Sequence, residues 1–437
     1  RQQKKNARRK GRGDAPHNQL SRRDDEDRNR TPPSAPPLFP TMFHCFLLWS
    51  LAAGAAAALS ASSPSSSSSS PSSLSSSSSS PFPKLLQPFG KPGSSDPLQR
   101  RKLVRSSGVR VYDSSGKSYI DGIASLWYCQ VGYGREEIID AVSDQLRTVA
   151  YNQFPPWGGC DVAEECASKI VELSSNPDGR AYLCTSGSEA IDTAFKIARA
   201  VGQLNGQPDR QIIVCRERGY HGVNWGGTSA QGIRSNREGW GDLLPHVAVA
   251  DAEDISSAES IFAQFGDRIA AVVTEPVQAA GGVHPPPTSA YLSRLRELCT
   301  ARGALLIFDE VITGFGRTGQ WFASRTYGVT PDLTTFAKGA TSGYQPLGGV
   351  ILSRDVCDAL ERDPSYVFRH GHTYSGHAAS CAACLANIRI MEREGLVDRA
   401  NTVGERLSAG LRKLAERGDV REVRGVGALW AARLNGD

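Results

Sequence analysis

Four short stretches place reactive side chains beside glycines or at the ends of apolar runs. In DLTTFAKGATSGYQPLGG (332–349), Lys338 lies between an apolar turn and a glycine-rich loop, where a solvated lysine has no special reason to be. An amine held away from water loses its proton more readily, and a neutral amine can form a Schiff base with a carbonyl compound. In LLIFDEVITGFGRTG (305–319), Asp309 follows an apolar strand, so its carboxylate should emerge at the sheet edge. A buried carboxylate needs a partner. A protonated pyridine nitrogen would serve, and the pairing would make that ring an electron sink. A metal ion or a helix start would serve as well, and for a metal the nearby candidates are Glu275 and Glu310.

The other two stretches are weaker alone. SGSEA (186–190) stands where a strand meets a helix. Gly187 lets the backbone turn, and amides at the helix start, helped by the Ser188 hydroxyl, can hold a phosphate. The same letters also describe an ordinary N-cap with a glutamate in the first turn. GYHG (219–222) offers Tyr220 as a ring to stack on a planar ligand, or simply as packing.

The elements around these stretches alternate. Strands are expected at 181–185, 211–215, 269–276, 304–308 and 348–353, and helices at 186–204 and 291–303. This is an α/β pattern with a mostly parallel sheet between helices, whose sites lie beyond the strand C-termini. A β-hairpin around SSGK is expected within 98–125, amphipathic helices at 136–150, 161–174 and 396–417, and a long helix at about 376–394, with strand-like residues at 420–434. The expected organisation is a small N-terminal segment (93–150), a large α/β domain (151–375) and a C-terminal α+β segment (376–437).

Residues 1–32 carry eleven Lys/Arg against five Asp/Glu, and the remainder 39 against 40, so the basic excess belongs to the leader. The folded part gives no electrostatic reason to expect nucleic acid. Residues 1–41 read as a disordered or wrongly assigned leader, and 62–92 as a Ser/Pro-rich linker. Residues 42–61 (MFHCFLLWSLAAGAAAALSA) read as an apolar signal or targeting segment, leading to an organelle (mitochondrion or plastid) or the secretory pathway. A membrane anchor is the alternative, and without this segment a cytoplasmic location is expected. Nine of the ten cysteines lie in the folded part without disulfide spacing, and Cys381 and Cys384 are expected to pack in a helical core.

Taken in order, DGIASLWYCQVGYGR, SGSEA, YHG, TEPVQAAGG, LIFDEVITGFGRTG, PDLTTFAKG, PLGGVILS and HTYSGH resemble the class III (omega) aminotransferases of the fold-type I pyridoxal-phosphate (PLP) enzymes, over about residues 98–437. The resemblance implies a large PLP-binding domain plus a smaller α+β domain built from both chain ends. It implies that Lys338 joins the cofactor as a Schiff base and then moves a proton, and that Asp309 partners the pyridine nitrogen. Val311 and Tyr220 would sandwich the ring, Gly187 and Ser188 would hold the phosphate, and Gln278 would lie near the phenolic oxygen. Thr373 would reach the phosphate of a neighbouring subunit, which makes a homodimer the expected assembly. Trp127 would wall the substrate pocket. The implied reaction is ping-pong transfer of an amino group from an amine or amino acid to a pyruvate-like α-keto acid.

Family members continue for some tens of residues beyond VRGVG, through an arginine that binds the acceptor carboxylate. Arg424 is not that residue by position, and the expectation is a shortened C-terminal segment. Within the same fold, an aminomutase, a decarboxylase or a catalytically impaired homologue are the alternatives. A nucleotide-binding dehydrogenase would want GxGxxG, which SGSEA does not supply.

Overall fold

The computed structural model describes residues 85–93, 102–151 and 159–435, all within the unit Ala53–Asp437. The leader at 1–41, the apolar segment 42–61 and the linker as far as residue 84 lie outside the described residues. Among the described residues no helix is long and apolar enough to cross a membrane.

The chain opens with a meander, β1 (Leu103–Ser107), β2 (Arg110–Asp113) and β3 (Ser118–Ile120), where one hairpin was expected. The SSGK turn joins β2 to β3, held by the Asp113 carboxylate accepting from the amides of Ser115 (2.9 Å) and Lys117 (3.2 Å). A kinked turn, α1 (Ala124–Trp127), and the helices α2 (Glu136–Thr148) and α3 (Asp161–Leu173) follow.

Among the described residues the central sheet has seven strands: β4 (Arg180–Cys184), β5 (Ile212–Arg216), β6 (Val247–Ala250), β7 (Ile269–Thr274), β8 (Leu305–Asp309), β9 (Leu333–Phe336) and β10 (Gly348–Leu352). Their order is β4-β10-β9-β8-β7-β5-β6, parallel throughout except for β10, which runs against both neighbours. The side-chain period of two divides the buried residues between two faces. Ile213, Cys215, Ala271, Val273 and Ile307 meet α4 (Gly187–Leu204), while Ile212, Val214, Val272, Leu306 and Phe308 meet α6 (Ile255–Phe265) and α7 (Tyr291–Arg302). Covered on both faces, the inner strands can be apolar along their whole length.

Short helices α5 (Trp225–Ser229), α8 (Ala323–Tyr327) and α9 (Arg354–Glu361) fill the connections. Helix α10 (Ala378–Arg393) packs on α2 and α3, and α11 (Leu396–Glu416) on the hairpin of β11 (Val420–Val426) and β12 (Leu429–Leu434). Cys381 and Cys384 are fully buried in α10, in one apolar cluster with Cys166 of α3, as core residues.

Around the site, further elements differ from expectation. The apolar turn before Lys338 is strand β9, whose LTTF carries two threonines that break the apolar run. Strand β6 and helix α6 were not anticipated, because VAVA is too short to show a period and sits at the sheet edge.

Candidate active site

Because β10 alone is reversed, the C-termini of β4, β5, β7, β8 and β9 open on one edge of the sheet. The segments leaving them carry Gly187 and Ser188, Tyr220, Gln278, Asp309 and Val311, and Lys338. Five of the motifs thus become one place.

Asp309, the last residue of β8, is 4% exposed. Its Oδ2 lies 2.8 Å from His221 Nδ1, and its Oδ1 accepts from the Val311 amide and the Thr335 hydroxyl, each at 3.2 Å. The second ring nitrogen of His221 is buried and has no hydrogen-bond partner among the described residues. Glu310 beside it is a structural tie. Its carboxylate accepts from the Ala323 and Ser324 amides at the start of α8 and from the Thr313 hydroxyl, and burial pushes its pKa up. All three carboxylates considered for a metal are therefore committed to protein donors, since Glu275 accepts from the amides of Tyr220 (2.9 Å) and Ala279 (3.0 Å).

Lys338 follows β9 and is partly buried, and its side-chain amine makes no hydrogen bond or ion pair to another described residue. Burial lowers its pKa, against the opposing pull of the Asp309 and Glu275 carboxylates. Its φ is +39°, a conformation costly for a residue with a side chain, and Trp127 at φ +59° shares this strain. The two strained turns adjoin, for α1 packs against Lys338–Ala340. A Cβ on Gly339 would stand 2.0 Å from the Gln130 amide nitrogen, which shows how closely the Trp127 segment lies on the lysine turn. Arg317 adds a hydrogen bond from its guanidinium to the Trp127 carbonyl at 3.3 Å, and its burial lowers its pKa to about 10.

Ser186 caps α4 by accepting from the Glu189 amide at 3.2 Å, and the Glu189 carboxylate accepts from the Thr185 amide at 2.7 Å. The ordinary N-cap reading of SGSEA is therefore realised, with Gly187 and Ser188 left at the first turn. A Cβ on Gly187 would lie 2.9 Å from both methyls of Val311, so the helix start and the residue after the Asp309 strand are in contact. Ser188 Oγ accepts from the Val223 amide at 3.0 Å, which joins the GYHG loop to the same turn. Tyr220 is partly buried, and burial together with the Asp309 and Glu275 charges raises its phenol pKa. Gln278 is 2% exposed and its amide donates to the Glu217 carbonyl at 2.6 Å, holding the base of the Tyr220 loop. Thr373 is exposed in the turn before α10, and its carbonyl accepts from the Tyr151 hydroxyl.

Comparisons with known proteins identify the family. The profile of the class III aminotransferases matches residues 93–437. The chain belongs to the class III aminotransferases. It is 37% identical over 356 residues to the beta-alanine–pyruvate aminotransferase of Pseudomonas aeruginosa, covering 76% of this chain and 79% of the relative. An (S)-enantioselective omega-transaminase from Thermomicrobium roseum superposes with a TM-score of 0.76 at 38% identity, over 80% of this chain and 82% of that one. A PLP-bound amine transaminase from an uncultivated Pseudomonas species gives 0.75 at 36% identity, over 81% and 85%.

Aminotransferases of this class depend on PLP. The residues present fit that group: an amine without a partner among the described residues, a buried carboxylate at a strand end, and an aromatic ring on the neighbouring loop. At Gly187 and at Gly222, where a Cβ would stand 2.5 Å from Ser188 Oγ, side chains would crowd the turns expected to meet the phosphate.

His221 and Glu275 are what sequence reasoning undervalued. GYHG was read for its tyrosine, and Glu275 only as a metal candidate. The signal available was their position, Glu275 directly beyond the buried strand β7 and His221 in the loop that follows the buried strand β5.

Proposed function

We propose that the chain moves an amino group from an amine or amino acid to a pyruvate-like α-keto acid by a ping-pong cycle, with Lys338 as its acid–base. The observation that carries this reading is the juxtaposition of a Lys338 amine, unpaired among the described residues, with the buried Asp309–His221 pair at one sheet edge. When bound, PLP supplies an electron sink for the carbon that loses a proton. Asp309 would hold the ring nitrogen protonated, and His221 would hold Asp309. Lys338, whose pKa burial lowers, would carry the proton. Tyr220 and Val311 would confine the ring, Gly187 and Ser188 would bind the phosphate, Gln278 would border the ring's edge, and Trp127 would face the substrate. The pyruvate relative at 37% identity supports the acceptor class.

A second copy of the chain is part of the proposal. Thr373 is exposed, as are Val223 (60%), Trp225 (45%) and Trp240 (62%), large apolar residues on the segment following Tyr220. Such apolar surface beside a site suits an interface. We also assign 93–150 and 376–437 to a smaller domain flanking 151–375.

The test is a visible absorption spectrum of the purified chain with PLP, before and after an amine panel and then pyruvate. A lysine-linked cofactor band that bleaches with amine and returns with pyruvate is expected, and Lys338→Ala should lack both band and turnover. A Lys338→Ala protein with wild-type turnover would refute the assignment.

A further inference from the structure

Glu275 stands directly beyond β7, is 4% exposed, and is surrounded by the charge-bearing groups of the site, Asp309, His221 and Lys338. Burial, with the Asp309 charge, pushes its pKa up to about 7, while His221 and two amide donors pull the other way. An acid is a costly choice for such a place. What it does with its two oxygens is specific: Oε1 accepts from the Tyr220 amide at 2.9 Å, and Oε2 from the Ala279 amide at 3.0 Å. Tyr220 lies beyond β5 and Ala279 beyond β7, neighbouring strands of the sheet. Each amide is a buried or partly buried donor that needs an acceptor. One carboxylate therefore ties the loop of the ring-stacking tyrosine to the loop of Gln278, which itself returns a hydrogen bond to Glu217 at 2.6 Å.

We infer that Glu275 is a positioning residue for the aminotransferase reaction: its carboxylate clamps the Tyr220 loop to the Gln278 loop and thereby fixes the wall and edge against which the cofactor ring lies. This rests on the reading of Tyr220 and Gln278 given under the proposed function. Glutamine at this position keeps one acceptor oxygen but turns an NH2 toward the other amide, donor against donor. Aspartate keeps the charge but is one methylene shorter, so it can reach only one of the two amides without strain.

The experiment compares wild type, Glu275→Gln and Glu275→Asp in the full chain. It measures amide hydrogen exchange at Tyr220 and Ala279 in the cofactor-free protein, PLP affinity by fluorescence titration, and kcat and KM separately. In Glu275→Gln, exchange at one or both amides should accelerate about tenfold and PLP should bind about tenfold more weakly, equivalent to about 1.4 kcal/mol. Glu275→Asp should recover part of both, and supplies the comparison if the glutamine variant does not fold. Unchanged exchange at both amides in a folded Glu275→Gln or Glu275→Asp protein overturns the clamp. Faster exchange with PLP affinity and kcat within twofold of wild type overturns the positioning role and leaves a merely structural tie. A wild-type chain that forms no cofactor band sinks the proposed function instead, and the exchange rates still decide the clamp.

Discussion

Replacing Asp309 by asparagine changes charge while keeping shape. The asparagine oxygen can still accept from the Val311 amide and the Thr335 hydroxyl, both at 3.2 Å from Oδ1. Its NH2 then faces His221 Nδ1, now 2.8 Å from Oδ2, and His221 must shift its proton to the other ring nitrogen to accept. That nitrogen is buried without a partner among the described residues, so the shift adds an unpaired buried N–H but no steric clash. The fold should therefore survive. A hydrogen bond to a charged group contributes about 1.5–3 kcal/mol, and its loss from the transition state slows the reaction by about 10- to 150-fold. The assay is a single-turnover half-reaction with an amine, followed by stopped-flow absorbance, alongside a PLP titration. Slowing within that range with PLP affinity changed less than about threefold is expected. A half-reaction rate within twofold of wild type would refute the argument that Asp309 acts through its charge.

Two further outcomes follow from the geometry. Gly187→Ala places a Cβ 2.9 Å from both Val311 methyls, an overpacking cost of about 1–3 kcal/mol, so PLP affinity measured by fluorescence should fall by about 10-fold or more. An unaltered affinity would mean that the first turn of α4 is not near the cofactor. The pKa of Glu275 is raised in the folded chain, from 4.5 to about 7, so the native state holds a proton that the unfolded chain releases. Cofactor-free stability from this group is full below pH 4.5 and is lost as pH rises to about 7, by up to about 3 kcal/mol. Urea denaturation of wild type and Glu275→Gln between pH 4.5 and 8 should show that slope only in wild type. Parallel curves would disprove the shift.

Much of the site was legible because the letters that do chemistry stand at the ends of apolar runs. Asp309 was placed at a strand end by LLIF alone, and the structure puts it there. The strand before Lys338 was not, because Thr334 and Thr335 interrupt the apolar pattern, and Thr335 is spent on hydrogen bonding Asp309. Distances in sequence hid other relations. Nothing local tells that Gly187 meets Val311, or that Glu275 holds Tyr220, since those pairs are joined only by strand order in the sheet. Positive φ at Trp127 and Lys338 was equally hidden, for neither is the glycine or asparagine that advertises such a turn. Thr373 could be singled out only through the family resemblance, because an exposed turn residue carries no pattern of its own.

The reversed strand β10 also imposes a timetable on the ribosome. Strand β4 and the turn carrying Gly187 are synthesised early, yet among the described residues the sheet neighbour of β4 is Gly348–Leu352, made more than 150 residues later. Until those residues emerge, β4 lacks its strand partner, although α4 can already pack on β7, β8 and β9. Such long-range closure is slow and leaves nascent chains prone to aggregation. Cofactor capture is thereby deferred to a late step of translation, and a ligand that arrives then rewards only chains whose last sheet strand has been inserted.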